Sequence, residues 1–301
     1  MNPNRLKGAA LGNIMVDFQL DEMQTMLKEL AHEFAVDEIR PKAEHWDEES
    51  VYPIETIRQA HEMGLLNLHI PEAYGGAGLG SLEEVLVNEE LAWGDPGFAT
   101  AAYATALACA PIITGATEEQ KNIWLRKVTE EGALASYAIT EPGAGSDVAA
   151  LKTTAISDGD EYVLNGSKMW ITGAGYADFF FVLAKTDPNA GYRGMSGFIV
   201  EKDTPGFTLG KKETNMGQRC SDTRSPVTQV GITFIRILLF YCIWQLKECF
   251  HLLLPVFHIG IVFFIQRICK DGEAHCCVAS TTCISLGCNF CLTSPSSAKV
   301  L

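Results

Sequence analysis

Apolar positions recur at helical spacing through the first part of the chain. From Leu20 to Ala35 the apolar side chains fall on one face of an amphipathic helix, and Pro41 is expected to end that run. A second helix is expected to begin near Pro53 and to end near Gly64. The pattern therefore predicts an all-α region over residues 20–131.

Two capping-box patterns indicate where further helices begin. Ser81 with Glu84, and Thr117 with Gln120, have the spacing at which each side chain reaches the backbone amide of the other residue. Between them, residues 98–108 form an apolar run of small residues. That run predicts a buried helix whose role is core packing.

From about residue 133 the pattern changes to short apolar runs with turn residues between them. Asp158 with Gly159, and Asn165 with Gly166, are favourable hairpin turns. The expected fold class is α+β, with an N-terminal helical domain at residues 17–132 and a small antiparallel β domain at residues 133–230. Strands are expected over residues 153–156, 162–164, 168–171, 179–184, 197–200 and 207–209.

The composition changes abruptly after residue 230. Residues 231–301 hold 8 of the 10 cysteines but only 3 of the 37 acidic residues. Because this stretch is apolar without helical or strand periodicity, we expect an unrelated Cys-rich tail and not a native domain. Residues 250–265 are short for a membrane span and contain Pro255. Cys288 and Cys291 lack the second regular pair of a zinc site, so no metal is expected.

Charge and cysteine usage narrow the class of the first 230 residues. They carry 34 acidic residues against 18 basic ones, so a nucleic-acid partner, which needs a basic face, is not expected. Their two cysteines indicate a reducing compartment without a disulfide framework. Residues 1–16 contain Arg5 and Lys7 and no acid, which fits either a disordered start or the remnant of a mitochondrial transit peptide.

Candidate chemistry lies in two short segments of the β region. In the first, residues 137–146, Pro142 fixes its own φ, while Gly143 and Gly145 allow backbone amides to approach an anionic group closely. A lone Gly/Pro/Ser/Asp cluster is most often a surface turn. The presence of a second, matched segment at residues 170–172 favours a binding site.

The polar and aromatic side chains of the two segments suit a flat heterocycle. Thr140 and Thr172 each offer a hydroxyl that can donate to or accept from a ring edge. Tyr137 and Trp170 offer flat faces for stacking. Together the segments predict a flavin site.

At these residues the chain resembles the acyl-CoA dehydrogenases. Residues 140–147 have the family's Thr-Glu-Pro-x-small-Gly-Ser-Asp form, and residues 170–172 have its Trp-Ile-Thr. The resemblance extends over about residues 17–228 and ends near Val230. Further stretches similar to the medium-chain branch are residues 72–80, 88–92, 117–121, 165–166 and 215–224.

The resemblance implies FAD-dependent oxidation of a fatty acyl-CoA to the trans-2-enoyl-CoA in β-oxidation, in the mitochondrial matrix, with an electron-transferring flavoprotein as acceptor. It implies that Thr172 lies near flavin N5, that Thr140 lies near the pyrimidine end, and that Ser146 also touches the acyl-CoA. The cofactor-binding positions it identifies are Tyr137, Ala138, Ile139, Thr140, Glu141, Pro142, Gly143, Ala144, Gly145, Ser146, Trp170, Ile171 and Thr172.

Three charged residues near these segments are not expected to be catalytic. Glu141 stands at the mouth of a turn, where a carboxylate is usually solvated or capping, and the family uses it structurally. Arg219 and Asp222 are expected to lie at the interface between the β domain and the region after it, with an ion-pair role.

The catalytic base of the family is not matched. The resemblance places that glutamate in a C-terminal helical bundle, and Glu248, Asp271 and Glu273 match nothing in its pattern. We therefore expect no catalytic residue in this chain, and little or no turnover by the chain alone. The alternative is a non-catalytic, truncated or mis-spliced product, with membrane association as one form of it. The family's homotetramer depends on the same bundle and is not expected here.

Overall fold

A computed structural model describes residues 19–159, 161–233 and 237–238 of the chain, and all of them belong to one compact unit. The predictions for residues 1–16, and those for the cysteines, zinc and membrane span of the tail, lie outside the described residues. The helical region holds α1 (Glu22–Phe34), α2 (Arg40–Glu48), α3 (Ile54–Glu62), α4 (Ser81–Gly94), α5 (Pro96–Gly115) and α6 (Glu118–Glu131).

The sequence predicted that the first helical run ends at Pro41, and this prediction is wrong. A π-helical turn, Ala35–Ile39, links α1 directly to α2, and Pro41 lies in the first turn of α2. Proline is tolerated there because the amides of a first helical turn need no intrahelical acceptor. The wider π turn thus allows one long rod to continue through a residue that usually breaks a helix.

One of the two predicted capping boxes forms. The Gln120 amide donates to Thr117 Oγ1 at 3.3 Å, and the Thr117 amide donates to Gln120 Oε1 at 3.0 Å, so α6 begins as predicted. The prediction for α4 is wrong in its cap: Gly80 precedes the helix, and no side chain caps it. Glu84 instead turns into the protein, where tertiary partners bind its carboxylate.

Helix α5 is the buried centre of the helical region, as predicted. Most of its alanines are buried, and the Thr105 hydroxyl accepts from the Ala135 amide at 3.1 Å, which joins the helix to the β region. Within the described part of the chain, α5 has the length and apolar composition of a membrane span. Its burial against other elements is what a core helix of a folded domain also shows.

A sheet of nine strands follows in the described residues. Its main path runs β4-β8-β3-β2-β5-β6-β9, with β1 beside β5 and β7 beside β8. The strands are β1 (Ala135–Ala138), β2 (Thr154–Asp158), β3 (Glu161–Ser167), β4 (Ile171–Thr172), β5 (Phe179–Lys185), β6 (Met195–Glu201), β7 (Phe207–Lys212), β8 (Thr223–Thr233) and β9 (Ile237–Leu238).

The sheet is mixed and not purely antiparallel. Strands β1 and β2 both pair with β5 in parallel, while the remaining pairs are antiparallel. Strand β8 also continues past the expected domain boundary at residue 230, because Ile232 and Thr233 pair with β3. The helical-then-strand order of the α+β prediction is confirmed.

Only the first predicted hairpin exists. Asp158 faces Glu161 across the β2–β3 turn, and Gly159 has a positive φ of 63°. Asn165 and Gly166 lie inside β3, where the register shifts against β8. A glycine is required at 166 because a Cβ would come within 2.4 Å of Thr153 Oγ1. This Asn-Gly pair is therefore explained by the close approach of the chain at Thr153 and not by a turn.

Arg219 and Asp222 each form an ion pair, as predicted. Arg219 forms an ion pair with Asp47 of α2, and its amide donates to Asp47 Oδ1 at 2.8 Å. Asp222 is buried and pairs with Arg224, while its carboxylate also accepts from the Gly175 amide at 2.7 Å. Arg219 therefore joins the β region to the helical region before it, where the sequence predicted a contact with the region after it.

Candidate functional site

The two predicted segments meet at one end of the sheet. The Met169 amide donates to the Thr140 carbonyl at 2.8 Å, and the Ser136 hydroxyl donates to the Thr172 carbonyl at 2.7 Å. The first segment continues β1, and the second leads into β4. These two bonds, made by Met169 and Ser136 next to the segments, hold the backbone at Thr140 and at Thr172 close together.

The first segment closes a tight turn after β1. The Glu141 amide donates to the Ala144 carbonyl at 2.9 Å, and the Ala144 amide donates back at 3.1 Å. Pro142 and Gly143 at its tip are exposed. A Cβ placed on Gly143 or Gly145 would meet no atom within 4 Å, so the space above this backbone is open. The turn presents main chain that a ligand can approach.

Four polar groups of the two segments have no hydrogen-bond partner in the described part of the chain. Among the residues that the structure describes, no protein group bonds the hydroxyls of Thr140, Ser146 or Thr172, or the indole N–H of Trp170. Trp170 is 62% exposed and has a positive φ of 58°. A large aromatic residue held in the left-handed region is uncommon and marks a constrained position. The site offers free hydroxyls beside an exposed indole.

Several predicted site residues contribute only their backbone. Ala138, Ile139, Ala144 and Ile171 are buried in the core, so their side chains cannot touch a ligand at the surface. The Tyr137 ring stacks on Phe181 with centroids 5.7 Å apart. One face of that ring is therefore already used for packing.

Beneath the turn lies a buried ion pair. Lys168 Nζ donates to Glu141 Oε1 at 2.8 Å, to the Ile139 carbonyl at 3.1 Å and to the Leu183 carbonyl at 2.7 Å. Glu141 also accepts from the Lys152 amide at 2.6 Å and from the amide and hydroxyl of Thr153. Glu141 is thus a structural residue, but it is neither solvated nor a helix cap.

Burial and bonding act in opposite directions on this pair. Desolvation raises the pKa of the Glu141 carboxyl, but the hydrogen bonds from Lys168, Thr153 and the Lys152 amide outweigh it, and the pKa lies below its usual value. Burial lowers the pKa of Lys168, and the neighbouring carboxylate opposes that shift. Hydrogen bonds from the protein thus take the place of the water that would otherwise solvate the two charges.

Two protein-family models match the chain. The acyl-CoA dehydrogenase N-terminal domain matches residues 21–132, and the acyl-CoA dehydrogenase middle domain matches residues 136–229. Both segments of the site fall within the second match. The chain belongs to the acyl-CoA dehydrogenase family.

Known proteins of this family share both the sequence and the fold. The chain is 48% identical over 214 residues to a probable medium-chain specific acyl-CoA dehydrogenase of Caenorhabditis briggsae, covering 70% of this chain and 52% of that protein. It is 38% identical to butyryl-CoA dehydrogenase of Megasphaera elsdenii, with a TM-score of 0.69, covering 73% of this chain and 58% of that one. A glutaryl-CoA dehydrogenase structure matches at 34% identity, with a TM-score of 0.70, covering 73% of this chain and 57% of that one. The chain spans about half the length of the curated relatives it matches.

The helical region of this acyl-CoA dehydrogenase chain holds a second polar cluster that the sequence did not reveal. Glu84 Oε1 bonds His69 Nδ1 at 2.6 Å, and the Tyr103 hydroxyl donates to Glu84 Oε2 at 3.0 Å. Burial, with the adjacent carboxylate, raises the pKa of Tyr103. In the described structure Asn67 Oδ1 and His69 Nε2 are buried without a hydrogen-bond partner.

A small cavity of about 10 Å³ adjoins this cluster. Glu84 and Tyr103 line it together with Asn67, Asn88, Ala102 and Ala106, so polar and apolar groups share its wall. The adjacent residue of α5, Ala104, lies 3.6 Å from the Cβ position of Gly173, the residue after Thr172. Ala104 thus connects α5 to the second segment, but it is not among the residues that line the cavity.

Neither Lys168 nor the Glu84 cluster carried a signal in the sequence. Lys168 stands between the two family motifs, and its acceptors lie up to 29 residues away in the chain. Among the described residues no group of three or more His, Cys, Asp and Glu side chains could hold a metal ion.

Proposed function

We propose that this chain binds FAD and belongs to an enzyme that oxidises fatty acyl-CoA thioesters to trans-2-enoyl-CoA. The observation that carries the proposal is the joined pair of segments, in which the free hydroxyls of Thr140 and Thr172 lie with Trp170 on one surface. A bound FAD supplies the two-electron acceptor for this reaction. The family's solved structures include one complexed with FAD and one with FADH2, which supports this cofactor.

The residues present fit such a group. Thr140 and Thr172 supply hydroxyls for the polar edge of a flavin ring, and Trp170 supplies an exposed face for packing. The open turn at Gly143 and Gly145 admits a phosphate-bearing group close to the main chain. These side chains bind and orient the cofactor, and none of them is asked to move a proton.

The acyl-CoA is proposed to lie beside the same surface. The hydroxyl of Ser146 is proposed to contact it. An electron-transferring flavoprotein is the proposed electron acceptor, and the mitochondrial matrix is the proposed location. Two of the relatives are named as mitochondrial proteins, which supports this location.

We further infer that the chain alone has low turnover. Abstraction of the weakly acidic α-proton requires a positioned base, and no glutamate in residues 231–301 matches the family's base pattern. Glu141, the buried carboxylate of the first flavin segment, is committed to Lys168, Lys152 and Thr153 and is not available as a base.

The first test measures binding of FAD to the purified chain, with the quenching of flavin fluorescence as the signal. A variant combining Thr140→Val, Thr172→Val and Trp170→Ala should bind FAD at least about tenfold more weakly, since each lost hydroxyl bond contributes about 0.5–1.5 kcal/mol. Thr25→Val with Trp93→Ala, both in the helical region, is the matched control and should bind as the parent does. Equal binding by the triple variant would refute the site.

The second test is reduction of the bound flavin by octanoyl-CoA. Slow or absent bleaching of the flavin absorbance is expected from the chain alone. Rapid bleaching would show that a base is present and would overturn the inference of low turnover, while leaving the cofactor assignment intact.

A further inference from the structure

We propose that Lys168 is a positioning residue for the cofactor, one that fixes both flavin segments in register with each other although it cannot touch the flavin itself. The inference rests on the proposed function, because it takes the two segments as the flavin site. Lys168 is only 4% exposed, so it lies beneath the surface that the segments form.

Each proton of the Lys168 ammonium has its own acceptor. An ammonium group has three donors, and here they bond the Ile139 carbonyl, the Glu141 carboxylate and the Leu183 carbonyl. Ile139 and Glu141 flank Thr140 on the first segment, and Leu183 lies in β5. One buried side chain therefore fixes the backbone on both sides of Thr140 against the central strand of the sheet.

The main chain of Lys168 connects the same residue to the second segment. Its amide donates to the Pro226 carbonyl of β8 at 2.8 Å, and the next amide, that of Met169, donates to the Thr140 carbonyl at 2.8 Å. Trp170 follows with its positive φ. The position of Trp170 and Thr172 relative to Thr140 thus depends on where Lys168 is anchored.

The carboxylate partner extends the same network to a third stretch of chain. Glu141 accepts from the Lys152 and Thr153 amides, which lie just before β2. Removing the Lys168 charge alone leaves Glu141 buried and unpaired, which destabilises any fold. A test of positioning must therefore separate loss of stability from loss of register.

The double variant Glu141→Gln with Lys168→Met makes that separation. It removes both charges, and replacing a buried ion pair by neutral groups of similar size is often nearly neutral for stability. It also removes the donors to the Ile139 and Leu183 carbonyls. If Lys168 positions the segments, the double variant folds more stably than Lys168→Met alone but holds its segments loosely.

The experiment uses the full chain and begins without FAD, by amide hydrogen exchange and thermal unfolding. The single Lys168→Met variant should unfold at lower temperature, and the double variant should recover most of that loss. Exchange at residues 139–146 and 169–172 should be at least about tenfold faster in the double variant than in the parent, which corresponds to about 1.4 kcal/mol of local opening. Lys202→Met, which removes an exposed lysine of the β region, is the control and should change neither measurement.

FAD titration then completes the test. The double variant should bind FAD at least about tenfold more weakly than the parent, with a visible flavin spectrum closer to that of free FAD. Unchanged exchange in the two segments, or parent-like FAD affinity in the stably folded double variant, would overturn the positioning role. If the parent itself binds no FAD, the proposed function fails, and the exchange comparison alone decides whether Lys168 fixes the segments.

Discussion

Glu141 in the β region and Glu84 in the helical region are both nearly fully buried, yet their surroundings differ. Glu141 faces an ammonium group whose three donors all have acceptors. Glu84 faces a histidine and a tyrosine, beside a cavity and near two buried polar atoms without partners. A fully bonded network fixes a backbone, whereas an incompletely bonded one leaves room for water or a ligand atom.

The largest expected effect comes from breaking the fully bonded network. Glu141→Ala leaves Lys168 charged in the interior and also leaves the Lys152 and Thr153 amides without an acceptor. We expect the free energy of unfolding to fall by about 3–5 kcal/mol, as for other buried pairs that lose one partner. Urea denaturation measures the change, and Glu141→Gln provides a milder variant should the alanine variant lose its cooperative transition.

The matched control is Glu201→Ala. Glu201 also pairs with a lysine, Lys127, at 3.3 Å, but its side chain is 60% exposed. Its loss should cost no more than about 1 kcal/mol because water screens and replaces an exposed pair. If the two alanine variants had equal stability, burial of the Glu141 pair would not matter and the comparison would collapse.

A smaller effect is expected at the second network. Glu84→Ala removes the acceptor of His69 and Tyr103, but the adjoining cavity has room for about one water to take the place of the carboxylate. We expect a loss of about 1–3 kcal/mol in urea denaturation. If Glu84→Ala lowered the free energy of unfolding as much as Glu141→Ala does, the cavity would not reduce the cost of losing the carboxylate. Tyr103→Phe, which keeps the ring, should cost about 1 kcal/mol.

The two predicted capping boxes show when sequence reasoning succeeds. The Thr117–Gln120 box and the Ser81–Glu84 box have the same spacing, but only the first forms. A capping box is a local interaction, so it is predictable only when no distant group competes for the side chain. His69 and Tyr103, 15 and 19 residues from Glu84, win that competition.

The two proposed flavin segments likewise combine local features that the sequence predicts with a distant contact that it does not. Their turn could be predicted because Pro142 and Gly143 act through local geometry, whereas the roles of the Thr140 and Thr172 hydroxyls stay predictions. The role of Lys168 could not be predicted, because its carbonyl acceptors are brought to it by the parallel pairing of β1 with β5. The parallel pairing itself could not be predicted from an alternation of apolar and polar residues, because β5 is buried along almost its whole length and shows no such alternation.

Acid should weaken the Glu141 network in a defined direction. Because the pKa of Glu141 is lowered in the folded chain, its contribution to stability is present above the unfolded pKa of about 4.3 and is lost as the pH falls through the lower folded value. The stability difference between the parent and Glu141→Gln should therefore shrink between pH 5 and strongly acidic pH, by about the amount that protonation removes. Urea denaturation over this range measures it. A difference that stays constant with pH would mean that the carboxylate is not stabilised in its charged form.

The smallest effect is expected at Asn67, beside the incompletely bonded network. Asn67 has a positive φ of 58°, and its side-chain oxygen is buried without a partner among the described residues. Asn67→Gly removes that oxygen and keeps a residue that adopts this backbone without strain. The free energy of unfolding should therefore change by less than about 0.5 kcal/mol, or rise slightly.

Asn67→Ala separates the backbone from the side chain at this position. Alanine also lacks the unpartnered oxygen, but its Cβ is strained at a positive φ, so it should be less stable than the glycine variant by about 1 kcal/mol. If the glycine variant were instead less stable than the parent by about 1 kcal/mol or more, the Asn67 oxygen would have to be bonded in solution, for example to a water in the adjoining cavity. The contrast with Glu141 would then lie in the identity of the bonding partner, water in one network and protein in the other, and both networks would be fully bonded.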